Sequence, residues 1–283
     1  MLEQIYPIKL IEKSPIYAFL MGISYTIIGI GLAVLLFPED PALVAVALIS
    51  LMFYPTISKL MKQEEAIESK REEFNLFIFL RDHKYVFMVY ILFFVGVLLV
   101  FSFFALLLPS LATNHIFKNQ IDVLYGFTGG AIFEQGLFVD ILQNNLMVLI
   151  VIFITAFVLG DGGIFLITWN ASVWGTIFGN LAKSAALNSH NNPFFYFGVV
   201  FAIVAPHMLL EAFTYVVSAT TGGVVSKAII KEKMLSRRFN YIVVNTIISL
   251  VFALLVLLLA VAVETYVLGN VETYQVIIRQ SFM

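Results

Sequence analysis

The chain has 283 residues, 61% of them apolar and 12% charged, with a net charge of −2 and a mean hydropathy of +0.97. So apolar a composition excludes a soluble globular domain, and the near-neutral charge gives no electrostatic footprint for a nucleic-acid partner. Cysteine is absent, which removes disulfides, thiolate nucleophiles and cysteine metal ligands.

Several runs approach or exceed the roughly 20 apolar residues that a spanning helix needs, and the ten-residue alternation of a β-barrel is missing. The expected fold is all-α: a polytopic transmembrane helix bundle of about seven spans in a lipid bilayer. Met1 to Pro15 is polar and reads as a short interfacial helix. The apolar run after it is too long for a signal peptide and has no small-residue cleavage site. Ile16 to Phe37 is the first span, with Gly22, Gly29, Gly31 and Ala33 as small positions for close packing. Pro38 to Pro41 is a tight turn, and the second span runs from Ala42 through Pro55 to about Leu60. Lys62 to Glu73 is a charged helix projecting from the membrane, with a solvated face. Tyr85 to Leu108 is the third span, and Pro109 to Gln143 is a loop-rich segment holding Gly126, Gly129, Gly130 and Gly136. A helix begins at Leu137, carries Asp140, Gln143, Asn144 and Asn145 in its first turns, and ends at Leu159 as the fourth span. Gly160 to Gly163 is a hairpin turn in which Asp161 reads as solvated. Ile164 to about Leu181 is the fifth span, Phe194 to Ser218 the sixth, ending at Thr221-Gly222-Gly223, and Tyr241 to Leu268 the seventh, followed by a short tail.

Lys and Arg orient this arrangement. Residues 1–15, 59–84, 160–163 and 219–240 carry 13 of the 16 and the opposite set carries 3, so the N-terminus is expected inside and the C-terminus outside. Two regions follow: residues 1–84, an N-terminal transmembrane hairpin with its charged cytoplasmic helix, and residues 85–283, the transmembrane core. No internal repeat supports an inverted-repeat transporter.

The core holds polar residues that are costly in lipid and therefore functional candidates: Asn144, Asn145, Asn170, His207 and Glu211. Counted from the inner turns at about 1.5 Å per residue, Asn144 and Asn145 fall near the outer boundary, Asn170 and Glu211 at similar depth, and His207 near the midplane. His207 and Glu211 share a helix face at i and i+4, and Glu211 is expected to meet Asn170 if the fifth and sixth spans are neighbours. Pro206 removes a backbone donor and is expected to kink its helix. Ala171, Gly175 and Gly179 form a small-residue stripe for helix packing. Three readings are open. The polar groups satisfy one another and fix a unique packing, as buried polar pairs do for specificity in some systems; or Glu211 changes charge on a translocation path; or His207 and Glu211 hold a metal. HExxH is absent, no cofactor is expected, and no Ser stands beside His207 as a nucleophile.

FVDILQNN (Phe138 to Asn145), Gly160, WNASVWGTIFG (Trp169 to Gly179) and PHMLLEAFTYVVSATTGG (Pro206 to Gly223) together resemble the stage II sporulation protein M family over residues 138–223. Ala171 stands where that family usually has Gly, and Met208, Leu209 and Leu210 replace a Gly-led run. The resemblance implies a multi-pass plasma-membrane protein that is not an enzyme. It implies a scaffold assembling with membrane or extracytoplasmic partners, which in spore formers remodel peptidoglycan, and a possible homo-oligomer. The matching positions are Asn144, Asn145, Asn170, His207 and Glu211. A transporter or channel subunit lined by Asn170, His207 and Glu211 is the alternative, and an intramembrane metal-dependent enzyme the weaker one.

Overall fold

The computed structural model describes residues 11, 14–68, 80–81, 83–128, 137–190, 192–233 and 236–281. Most of the expected interfacial helix, Ser69 to Glu73 of the charged helix, and Gly129, Gly130 and Gly136 lie outside these residues. The described chain forms helices α1 Ile16–Leu36, α2 Pro41–Glu68, α3 Lys84–Leu107, α4 Ser110–Ile116, α5 Lys118–Thr128, α6 Leu137–Leu159, α7 Gly163–Ser189, α8 Pro193–Lys231, α9 Arg237–Asn270 and α10 Glu272–Ser281. The protein is an all-α polytopic bundle.

Six helices among the described residues are long and apolar enough to cross a membrane: α1, the part Pro41–Lys62 of α2, α3, α6, α8 and α9. The remaining expected span, the fifth, is α7, which has the length but not the apolarity. The reason is its position. It packs along α3 and also against α2, α5, α6, α8 and α10, so protein rather than lipid covers it. Its polar Thr168, Ser172 and Thr176 are fully buried, with Thr168 Oγ1 and Ser172 Oγ donating back to the Ile164 and Trp169 carbonyls.

Small residues set the approach of α7 to α3. A Cβ on Gly175 would collide with the Leu98 carbonyl, and one on Gly179 with the Ser102 carbonyl; Ala171 is wholly buried. The small-residue stripe is therefore a packing face within the chain, covered by α3. A second close crossing joins α1 to α3. A Cβ on Gly22 would lie 2.6 Å from the Phe93 carbonyl oxygen, and one on Gly96 2.5 Å from that of Phe19. Aromatic rings fill the rest: Phe53 of α2 stacks on Phe93 at 3.7 Å, and Trp174 meets Phe94 edge-on at 5.9 Å.

Four expectations change. The sixth span does not end at Gly223: α8 continues for 39 residues to Lys231, through Pro206 without interruption, because Thr221 bonds back to the Val217 carbonyl and both glycines are packed. Asp161 is not solvated: it is buried and pairs with Lys227 at 3.0 Å. Pro109 to Gln143 contains α4 and α5 where loop is expected. The C-terminal tail forms α10, which buries Tyr274 and Ile277 and lies on α7. Its Gln280 accepts from Asn188 Nδ2 at 2.5 Å and from the Tyr196 hydroxyl at 3.3 Å.

Candidate functional site: a carboxyl cluster between α6, α8 and α9

The helices α6 and α8 run in the same direction, side by side, with α7 as the return between them. Their seam can be followed in register. Asn145 meets Glu211. One turn on along α6 and two along α8, Ser218 Oγ donates to the Leu149 carbonyl at 2.8 Å. Gly222 then lets Phe153 and Ala156 approach, since a Cβ there would lie 2.7 Å from the Phe153 carbonyl oxygen. The Asp161–Lys227 ion pair closes the inner end. Asn145 stands 16 residues before Asp161 and Glu211 stands 16 residues before Lys227, so the seam keeps register over about 24 Å at 1.5 Å per residue.

At the top of the seam Asn145 Nδ2 donates to Glu211 Oε1 at 3.0 Å. Asn145 Oδ1 accepts from the Tyr215 hydroxyl at 3.1 Å and from Asn144 Nδ2 at 3.3 Å. Tyr215 is one turn below Glu211 on the same face of α8. The Tyr215 bond fixes the amide so that its NH₂ points at the carboxyl. Glu211 is 1% exposed and Tyr215 2%.

Glu264 on α9 lies close enough to the Glu211 carboxyl for the two side chains to interact. Helices α8 and α9 are antiparallel neighbours, and helical side chains lean toward their own N-terminus. Glu211 therefore leans outward and Glu264 inward, and the two converge although their backbones are staggered. The Glu264 oxygen Oε2 is buried and has no hydrogen-bond partner. Tyr274 of α10 lies close enough to Glu264 to feel its charge. Burial, and after it the charge of Glu264, pushes its phenol above the ordinary value, so it stays a protonated donor.

The sequence candidates divide accordingly. Asn145 and Glu211 are brought together. Asn144 touches the cluster only through Asn145 and is otherwise exposed. Asn170 does not meet Glu211: its Nδ2 donates at 2.8 Å to the Leu166 carbonyl of its own helix. His207 is buried one turn above Glu211, and its Nδ1 has no partner. Among the described residues no three His, Asp or Glu side chains converge as a metal-ligand set.

Glu264, Tyr215 and Tyr274 are additions. Glu264 is an ionisable residue inside the seventh span, so the criterion that singles out Glu211 applies to it as well. Its position six residues before the end of α9 lets it pass as interfacial. Nothing local in the sequence pairs it with Glu211.

The family model for stage II sporulation protein M matches residues 89–267. That range runs from α3 almost to the end of α9 and encloses every member of the cluster except Tyr274. No curated protein and no solved structure matches the chain. With well over half of its length matched, this multi-pass membrane protein belongs to the stage II sporulation protein M family.

Proposed function

We propose that the chain is a plasma-membrane transporter or channel subunit in which the α6–α8–α9 seam is the path for an ion or small polar solute. It is non-enzymatic: the groups at the site bind and relay, and none is set against a nucleophile. The observation that carries the reading is the buried Glu211 carboxyl with the half-buried Glu264 beside it, one of whose oxygens has no partner. A packing key built for specificity satisfies its own members, because an orphaned buried polar group costs about 1–3 kcal/mol. This cluster leaves Glu264 Oε2 and His207 Nδ1 without partners. Intramembrane carboxyls held this way serve conduction paths and proton relays.

A scaffold is the second reading, and a different observation favours it. Gln143 and Asn144 are exposed on the outside of α6, below Asp140. Amides facing out of a bundle at that level suit a protein partner, whether an extracytoplasmic protein or a second copy.

The test is reconstitution into liposomes carrying an internal pH dye, with the parent protein beside Glu211→Gln. A path predicts dissipation of an imposed pH gradient under a potassium-valinomycin potential, abolished in a variant that still folds. A scaffold predicts no flux in either, and capture of a partner that depends on Asn144.

A further inference from the structure

We propose that the groove between α3 and α8 is a binding site for an anionic phospholipid of the inner leaflet, with the hydrocarbon chain lying along the groove and the headgroup phosphate on Lys84. The site is separate from the α6–α8–α9 seam and does not rest on the transport reading.

The sequence of α3 builds one wall. Lys84, Phe87, Met88 and Leu92 recur at the three- and four-residue steps that place side chains on one face of a helix. Opposite them stands Phe213 of α8, whose ring meets that of Phe87 edge-on at 5.6 Å. Phe213 in turn meets Phe252 of α9 edge-on at 6.3 Å, which backs this wall with a second ring. The groove left between the helices has a volume of about 460 Å³, within the roughly 300–1,000 Å³ of ligand sites. Phe87 is buried at its base, whereas Met88 is 40% exposed at its rim, so the groove opens away from the bundle.

Chemistry selects the occupant. Lys84 is exposed, and among the described residues that line the groove it is the one charged side chain; the others are apolar. Lys84 opens α3 at its inner end, and from Lys84 to Leu92 the wall runs about 12 Å outward at 1.5 Å per residue. From the inner surface the site is therefore a cation followed by hydrocarbon. An anionic phospholipid has the matching order, phosphate at the surface and chain below it. The lysine stem lies along apolar surface while its ammonium stays at the headgroup level. Arg81, three residues before Lys84 and also exposed, adds positive charge beside it. Basic groups at the cytoplasmic end of a cleft between membrane helices recognise anionic headgroups in this way. A second copy is the poorer occupant. Two-fold pairing through one shared face sets each Lys84 against its mate at the same depth, and the like charges oppose that contact.

The experiment is native mass spectrometry of the full-length protein ejected from liposomes of phosphatidylcholine with a minor share of phosphatidylglycerol, for the parent, K84Q, M88W and K62Q. The parent is expected to retain phosphatidylglycerol in preference to phosphatidylcholine. K84Q is expected to cut that preference about fivefold, the worth of one basic group near an anionic surface. M88W keeps the lysine but fills the groove, and is expected to lose retained lipid of either class. Lys62 is exposed on α2 and does not line the groove, so K62Q removes the same charge and is expected to leave the preference unchanged. No phosphatidylglycerol on the parent overturns the proposal, as does a preference that K84Q leaves intact or lipid that M88W still holds. An equal fall in K62Q overturns it too, since surface charge in general would then be the cause. A lipid-free dimer that M88W dissociates gives the groove to a second copy and also overturns it. If M88W fails to fold, K84Q and K62Q still decide, because both lysines are exposed.

Discussion

Asn145 Nδ2 donates to Glu211 Oε1 at 3.0 Å across 66 residues of sequence, and this bond fixes where α6 lies along α8. The amide is shared with Tyr215, so its removal leaves two buried groups without partners. Asn145→Leu is therefore expected to lower stability by about 2–6 kcal/mol, at roughly 1–3 per orphaned group. Denaturant unfolding in detergent measures it, and a loss under 1 kcal/mol would show that the bond does not hold the seam.

Asn170 is the contrasting case. Its Nδ2 bonds a carbonyl of its own helix, which water or neighbouring groups can replace at small cost. Asn170→Ala is expected to change stability by less than about 1 kcal/mol and to leave proton flux intact, read in the same liposome assay. Flux lost with the fold intact would put Asn170 on the path after all.

The Asp161–Lys227 pair closes the inner end of the seam at 3.0 Å, with the two side chains 5% and 17% exposed. Asp161→Ala is expected to cost about 2 kcal/mol, below the roughly 3–5 of a fully buried pair because Lys227 keeps some solvent contact. The charge exchange D161K/K227D should recover part of that loss in a double-mutant cycle, and additive losses would count against a direct pair.

Two glycine crossings hold the bundle together, and an exposed glycine controls for them. Gly96→Ala places a methyl 2.5 Å from the Phe19 carbonyl oxygen, whereas a Cβ on Gly31 meets nothing within 4 Å. Gly96→Ala is expected to lower the melting temperature and Gly31→Ala to leave it unchanged or raise it, since Ala is the better helix former by about 1 kcal/mol.

The absence of cysteine makes orientation directly measurable. Single cysteines placed at the exposed positions Glu39 and Lys231 are expected to react with a membrane-impermeant maleimide from opposite sides, Glu39→Cys from outside and Lys231→Cys from inside. The reverse pattern would invert the inner and outer assignments.

The helical class, the crossings and the polar candidates are legible in the sequence because each depends on composition within a single helix. What is illegible depends on where helices end and which neighbours they meet. Gly222 and Gly223 read as a helix end, yet they sit inside α8 because α6 needs their missing side chains to approach. Depth counted from that false end places Glu211 level with Asn170 instead of Asn145. Asp161 reads as a turn residue until the longer α8 brings Lys227 beside it. The apolarity of α7 is low for a span because its lining is protein, a fact of the assembled bundle. Glu264 needed only the criterion applied to Glu211, but its partner lies on another helix and its place near a helix end conceals it.

The measurement that tests the account most directly is cross-linking of E211C/E264C in nanodiscs with a short-arm bis-thiol reagent. The proposed path requires the side chains of Glu211 and Glu264 to meet between α8 and α9. E211C/L255C is the control, because Leu255 is on the same helix as Glu264 but 61% exposed. Rapid cross-linking of E211C/E264C, with E211C/L255C left open, is the predicted result. Equal reactivity of the two pairs, or none for E211C/E264C while both cysteines remain labelled singly, would contradict the convergence of the two carboxyls and the path built on it.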